Sequence, residues 1–103
     1  AAFPQELSLD LFERRLGIKA GQADQATRRQ YGLKDGVVME KIRPDSEAGR
    51  VGLQAGDLLL KLNDSAVTSL DELRKAITRY HHLSSLTILV RRGPYGFSVT
   101  LPF

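Results

Sequence analysis

The stretch SEAGRVGLQAGDLLLKLN, residues 46–63, decides the fold because it encodes a short helix, two turns and a strand in succession. Ser46 is a favourable N-cap, since its hydroxyl can accept a hydrogen bond from an amide left free in the first helical turn. Gly52 and Gly56 stand where the chain must turn, and glycine adopts left-handed turn conformations at little cost. The apolar run 58–62 that follows is predicted to be a largely buried strand.

Further strands are predicted on both sides of this stretch. The run 37–42 is bounded by turn residues, and the segments 86–91 and 97–101 alternate apolar and polar residues across a Gly-Pro turn. The last two therefore read as a closing hairpin. Asn63 and Asp64 predict a tight turn, and because glycine is missing from its second position we expect some strain or a longer loop there.

Two helices are predicted in the remaining sequence. Segment 69–80 begins with the capping-box pattern S-x-x-E at Ser69 and Glu72, and its apolar residues recur at helical spacing. Segment 22–31 is polar and permissive for a helix. Residues 7–15 alternate like a strand but fit a helical turn equally well, so both alternatives stay open for them.

The composition indicates one domain of 103 residues, 42% of them hydrophobic, which is enough to bury a single core. Cysteine is absent, so the chain has neither a disulfide framework nor a thiolate metal site. The adjacent His81 and His82 lack partner ligands at metal spacing. No apolar run approaches the roughly 20 residues of a membrane span. We therefore predict no cofactor, no metal and no membrane insertion.

Charge and motifs exclude two further classes of function. The net charge is +3, and basic residues are interleaved with acidic ones rather than forming a basic stripe with stacking aromatics, so we predict no nucleic-acid partner. Neither a G-x-S-x-G motif nor a G-N-S-G-G-type serine loop is present. The domain itself is therefore predicted to be non-catalytic.

Small residues followed by G-L-x-x-G-D and an apolar strand ending in Asn make the chain resemble a PDZ domain. It resembles specifically the circularly permuted bacterial type of the high-temperature-requirement (HtrA) serine proteases. The resemblance runs from about Leu16 to Leu101 and implies an α+β fold. That fold is a small, partly open antiparallel β-barrel or sandwich of five to six strands with two main helices. Residues 1–103 would be a single PDZ domain, with residues 1–6 a tail or linker.

The short helix departs from the usual family pattern S-P-A-A-x-x-A-G-L. Glu47 stands for the Pro, while Gly49 and Val51 each stand for an Ala. Glu47 fixes the first turn less firmly than proline does, and Gly49 and Val51 form helices less readily than alanine does. We therefore expect a slightly weaker helix. The glycine that ends it is unchanged.

The resemblance also implies a peptide-binding groove with two parts. Leu16-Gly17-Ile18 matches the hydrophobic-Gly-hydrophobic loop whose amides bind a C-terminal carboxylate, with cations just upstream. An ordinary turn before a strand is the alternative. We expect the loop to be exposed, so that a side chain at Gly17 affects binding more than stability. The helix from Ser69 would form the other wall. The predicted peptide-binding residues are Arg15, Leu16, Gly17, Ile18, Lys19, Leu70, Arg74 and Ile77.

At its first groove-facing position the second wall carries Leu70, where many PDZ domains have a histidine that selects Ser or Thr two residues before the ligand's end. An apolar residue there predicts a preference for an aliphatic or aromatic side chain instead.

The resemblance implies recognition of hydrophobic C-terminal tails or unfolded, extended segments by strand addition. The implied role is the substrate-recognition or regulatory domain of a bacterial serine protease in the periplasm or cell envelope. The alternative is a scaffold or assembly module of a secretion or other envelope complex. The isolated domain is expected to be monomeric, within a parent protein that can be homo-oligomeric.

Overall fold

The computed structural model describes residues 7–103, so the tail or linker predicted for residues 1–6 lies outside the described residues. These residues form a small α+β domain with six antiparallel strands in an open sheet and a few helices, which confirms the predicted fold class. The elements in chain order are α1 (Ser8–Leu16), β1 (Ile18–Gln22), α2 (Gln25–Tyr31), β2 (Val37–Ile42), α3 (Glu47–Arg50), β3 (Leu58–Leu62), β4 (Ser65–Ala66), α4 (Leu70–Tyr80), β5 (Ser85–Arg92) and β6 (Tyr95–Pro102).

The strand order in the sheet is β1-β2-β3-β5-β6, and the short β4 pairs with β3. The predicted closing hairpin is confirmed, because β5 and β6 pair continuously from Ser85 opposite Pro102 to Arg92 opposite Tyr95. Strand β1 pairs with β2 alone and carries an irregularity in register after Lys19. Within residues 7–103, β1 and β6 are therefore the two edges of the sheet.

The stretch 46–63 folds as its sequence predicts. The Oγ of Ser46 accepts a hydrogen bond from the amide of Gly49 at 3.2 Å and so caps α3. Gly52 and Gly56 have φ angles of 88° and 96°, the left-handed conformations that glycine tolerates best. Strand β3 follows at once and buries most of its side chains.

Of the two alternatives predicted for Asn63 and Asp64, a strained tight turn and a longer loop, the structure has the strained tight turn. It joins β3 directly to β4, with Leu62 opposite Ser65, and Asn63 has a φ angle of 52°. Asparagine tolerates this conformation better than most residues. Its side-chain oxygen also accepts a hydrogen bond from the amide of Thr87 at 2.9 Å, which holds the turn against β5.

Residues 7–15 resolve as a helix, so the strand alternative for this segment is wrong. The buried residues of α1 are Ser8, Leu11, Phe12 and Leu16, which recur at helical spacing, whereas Leu7 is half exposed. Burying this stripe against the rest of the core favours a helix over a strand, which would turn alternate residues to solvent. Leu11, Phe12 and Leu16 belong to the same hydrophobic cluster as the buried side chains of α4 and the sheet.

Both longer predicted helices are present with their caps. Ser69 Oγ accepts from the amide of Glu72 at 3.2 Å at the start of α4. At the start of α2, Asp24 accepts from the amide of Thr27 at 2.8 Å, and this hydrogen bond lowers the pKa of the Asp24 carboxyl. These caps satisfy amides that a helix otherwise leaves without a partner.

An ion pair between the buried Asp57 and the partly exposed Arg92 was not predicted from the sequence. The carboxylate of Asp57 is only 2% exposed and accepts two hydrogen bonds of 2.7 Å from the Arg92 guanidinium and one of 3.0 Å from the Gln54 amide. Arg92 also donates to the carbonyl oxygen of Gly52 at 2.9 Å. The hydrogen bonds to Asp57 raise the pKa of Arg92. The pair thus fastens the turn before β3 to the closing hairpin.

Candidate functional site

The two predicted walls of the groove are β1, an edge of the sheet, and α4, and these two elements contact each other. Leu16 and Ile77, which the family resemblance places at the pocket for a ligand's last residue, belong to the hydrophobic core cluster, as does the neighbouring Ile18. Leu70 is partly buried and packs against that cluster, and Arg74 is half-buried. The apolar residues of the predicted site therefore belong to, or pack on, the same hydrophobic core.

The loop at Gly17 differs from the exposed loop that we expected. Gly17 is buried and has a φ angle of 80°. A Cβ built on it would overlap the side chain of Ser46, the residue that caps α3. The expectation that this loop is exposed is therefore wrong, and a side chain at Gly17 is now expected to lower stability as well, because the loop is packed against another element of the fold.

The amide of Gly17 is already used within the chain. Gly17 ends α1, and its N–H donates to the carbonyl oxygen of Glu13 at 2.8 Å. Its own carbonyl oxygen accepts from the amide of Arg43 at 3.0 Å. A helix C-terminus carries partial negative charge, which disfavours an anion. In this conformation the loop is the end of a helix and not a nest of free amides.

Arginine side chains surround this helix end. The guanidinium of Arg15 donates to the carbonyl oxygen of Phe103 at 3.2 Å and lies 5.0 Å from the centre of the Phe103 ring. Arg43 donates from Nη2 to the carbonyl oxygen of Arg14 at 3.1 Å. Cations at this position stabilise the end of a helix. Arg43 was not predicted from the sequence, because it is 26 residues beyond Gly17 and has no motif to mark it. Lys19, also predicted for the site, is exposed.

Helix α1 packs against both predicted walls of the groove, α4 and β1, and it also contacts α3. Its buried face includes Leu11 and Phe12, with Phe12 fully covered. Leu16, Ile18 and Ile77 of the predicted site are likewise 0% exposed. In this conformation these three side chains therefore present no surface to a ligand.

An open cleft of about 520 Å³ lies elsewhere, between β1, the start of α2 and β2. None of the predicted peptide-binding residues lines it. Its lining consists of Gln22, Asp24, Thr27, Val38, Met39, Glu40, Lys41 and Gly56.

The remaining candidate features are the histidines, metal-binding groups and membrane-spanning helices. A ring nitrogen of His81 lies 2.7 Å from the carbonyl oxygen of Thr78 near the end of α4. Among residues 7–103, no three or more His, Cys, Asp or Glu side chains are grouped so that they could hold a metal ion. None of the helices in the described part of the chain has the length and apolar character needed to cross a membrane.

Comparison with known proteins decides the family. A family profile described as "PDZ domain" matches residues 38–92, just over half of the chain. The chain belongs to the PDZ family. The matched residues run from β2 to β5, so they include the stretch 46–63, which decides the fold, and α4.

The relatives of this PDZ domain include proteases. It is 33% identical over 86 residues to a probable periplasmic serine endoprotease, DegP-like, of Pseudomonas fluorescens, matching 81% of this chain and 17% of that protein. It is 32% identical over 85 residues to PDZ domain-containing protein 11 of Gallus gallus, matching 82% of this chain and 54% of that protein. The chain thus spans about a sixth of the length of the first relative and about half of the length of the second.

Solved structures confirm the fold. The HtrA3 PDZ domain bound to a phage-derived ligand, FGRWV, superposes with a TM-score of 0.68 at 24% identity, over 84% of this chain and 81% of that one. The HtrA-type protease AlgW with a decapeptide gives a TM-score of 0.67 at 21% identity, over 84% of this chain and 27% of that one. The predicted relationship to HtrA-type PDZ domains is confirmed.

Proposed function

We propose that this PDZ domain binds polypeptides with hydrophobic C-terminal ends, which pair as an added strand with β1. The observation that carries the proposal is that β1 is an edge of the sheet with the amphipathic helix α4 beside it. An edge strand offers amides and carbonyls to an extended chain, and side-chain pockets beside it provide selectivity. The ligand of the HtrA3 PDZ domain, FGRWV, ends in two apolar residues, which agrees with such a pocket.

Each predicted residue then has a role in the bound state. The last ligand side chain would lie against Leu16, Ile18 and Ile77, all of which are apolar. Its carboxylate would approach the amides around Gly17. Isolated tails should bind at micromolar strength, because the order imposed on a flexible peptide offsets much of the gain in contacts.

The charged residues of the predicted site would act more weakly. Arg15 and Lys19 are exposed and would favour the anionic end of a ligand at long range. Arg74 on α4 is half-buried and would give a modest preference for an acidic ligand residue, which solvent screens.

We further propose that the domain serves a larger serine protease of the bacterial periplasm or cell envelope, either presenting unfolded clients or regulating the protease. The support is the periplasmic DegP-like endoprotease among its relatives. We propose that the isolated domain is monomeric. The alternative is a scaffold or assembly module, supported by the similarity to PDZ domain-containing protein 11, which is not named as a protease. A trypsin-like domain in the same gene product would decide for the protease.

Replacing Leu70 with His tests whether α4 forms a groove wall. With two peptides that differ only at the third residue from the end, we expect the wild type to bind the Leu peptide more tightly than the Thr peptide. The difference should be roughly 1–2 kcal/mol, about 5- to 30-fold in Kd, for the apolar area buried. In Leu70→His the preference should shrink or reverse, because the imidazole can hydrogen-bond the threonine hydroxyl.

The matched control is Leu33→His, since Leu33 is also half-buried but follows α2, away from the groove. This control should keep the wild-type ratio of affinities, measured by fluorescence anisotropy. If the wild type prefers Thr, or if Leu70→His keeps the wild-type ratio, α4 is not the wall that reads this position.

A further inference from the structure

We propose that α1 is a built-in lid of the peptide groove, whose last turn must unwind before the C-terminus of a ligand can bind. This inference rests on the function proposed for the groove between β1 and α4. It adds a step to that function: the domain exists in a closed state, with α1 complete, and an open state, in which residues 13–17 leave the helix and form the loop that receives the end of the ligand.

The first support is the burial of the pocket. Leu16, Ile18 and Ile77 have no exposed surface, although a ligand must touch them to be read. The helix that packs on both β1 and α4 contributes Leu11 and Phe12 to the same apolar cluster. Side chains of α1 thus already supply the kind of contact that a hydrophobic tail would make.

The second support is the use of the Gly17 amide. Its N–H cannot donate to a ligand carboxylate while it donates to the carbonyl oxygen of Glu13 at 2.8 Å. The partial negative charge at the end of α1 also opposes an anion at this place. The complete helix and a bound carboxylate therefore exclude each other, and unwinding the last turn both frees the amide and removes the unfavourable dipole.

The third support is that the polar contacts holding this helix end lie at the surface. Asp10 and Arg14 form an ion pair of 2.8 Å with both side chains more than 60% exposed. Arg15 and Arg43 donate to backbone carbonyls at exposed positions. Exposed contacts of this kind contribute little each, because water replaces them readily. What chiefly holds the lid is its apolar face, for which a bulky hydrophobic ligand end is a direct competitor.

If α1 is a lid, the affinity of the domain for a peptide should depend on the stability of α1. The apparent Kd equals the intrinsic Kd divided by the fraction of molecules in the open state. A change that weakens the closed helix without touching the groove should therefore tighten binding. Glu13 suits this purpose because its side chain is exposed on α1. Glycine at this position disfavours the helix relative to alanine.

The experiment compares Glu13→Gly with Glu13→Ala, which loses the same charge but keeps the helix. The probe is a fluorescein-labelled decapeptide ending in Leu-Ala-Val with a free carboxylate. We expect Glu13→Gly to bind about three- to fivefold more tightly than Glu13→Ala. Gln30→Gly, at an exposed position in α2, makes the same type of change away from the groove and should leave affinity unchanged.

Hydrogen exchange measured by NMR gives the second readout. When the peptide saturates the domain, the amides of Gly17 and of the last turn of α1 should lose their helical hydrogen bonds. Hydrogen exchange in residues 13–16 should therefore become faster although the domain is liganded. If the peptide binds but exchange in this turn stays the same or slows, or if both Glu13 variants bind equally, α1 is not a lid and the proposed function stands. If the peptide saturates none of the proteins, the proposed function itself is wrong.

Discussion

Replacing Gly17 with Ala is expected to lower the free energy of unfolding by roughly 3 kcal/mol, a large share of the stability of a small domain. Two effects combine. Gly17 has a φ angle of 80°, in the left-handed region that costs other residues about 1–2 kcal/mol. An added Cβ would also overlap the Cβ and Oγ of Ser46. Ser46 cannot easily move aside, because its hydroxyl donates to Arg43 at 2.6 Å and caps α3.

A matched control separates the two effects. Gly32 has a φ angle of 67°, but a Cβ there would have no neighbour within 4 Å, so Gly32→Ala should cost only the conformational part, about 1–2 kcal/mol. Urea unfolding followed by circular dichroism measures both changes. Adding Ser46→Gly to Gly17→Ala should restore the part that comes from overlap. Equal losses for the two alanine variants would contradict the packing of Gly17 against Ser46.

Replacing Asp57 with Ala is expected to lower the free energy of unfolding by about 2–3 kcal/mol. The variant loses the ion pair with Arg92 and leaves the amide of Gln54 without its acceptor in a partly buried place. Because the Arg92 side chain is 39% exposed, water can solvate its charge once the partner is gone. That exposure places the expected loss below the full cost of breaking a buried pair.

Asp71→Ala is the control for this second prediction. Asp71 also pairs with a cation, Lys75 at 3.2 Å, but both side chains are more than half exposed, so its loss should scarcely change the urea midpoint. Peptide affinity of folded Asp57→Ala should match the wild type, since the pair lies away from the groove. A midpoint for Asp57→Ala equal to that of Asp71→Ala would show that the buried pair does not hold the turn to the hairpin.

The sequence predicted the parts of the fold that are encoded locally. Gly52 and Gly56 could be recognised as turn residues because a positive φ angle at one position favours glycine at that position. Ser46 and Ser69 could be recognised as caps because the helices begin at the next residue. The segment containing Leu11 remained ambiguous because its apolar residues fit both periods. Only the burial of one helical stripe distinguishes them.

Features that depend on contacts between distant segments could not be predicted. Asp57 and Arg92 are 35 residues apart, and nothing in their neighbours signals a pair. The hydrophobic-Gly-hydrophobic motif around Gly17 was recognised, but its burial comes from Ser46, which reaches it through the fold. The complete burial of Phe12 likewise depends on where α1 packs, which its own sequence does not determine.

The central claim is that the groove between β1 and α4 binds a hydrophobic C-terminus through its carboxylate. The most direct measurement is an NMR titration with the Leu-Ala-Val decapeptide in its acid form and in its C-terminally amidated form. We expect the acid form to shift amide resonances of residues 16–22 and of α4. We also expect amidation to weaken binding about tenfold to a hundredfold, the loss of one charge-assisted interaction. Equal affinities for the two forms, or shifts confined to the cleft beside Thr27 and Lys41, would contradict the proposed function.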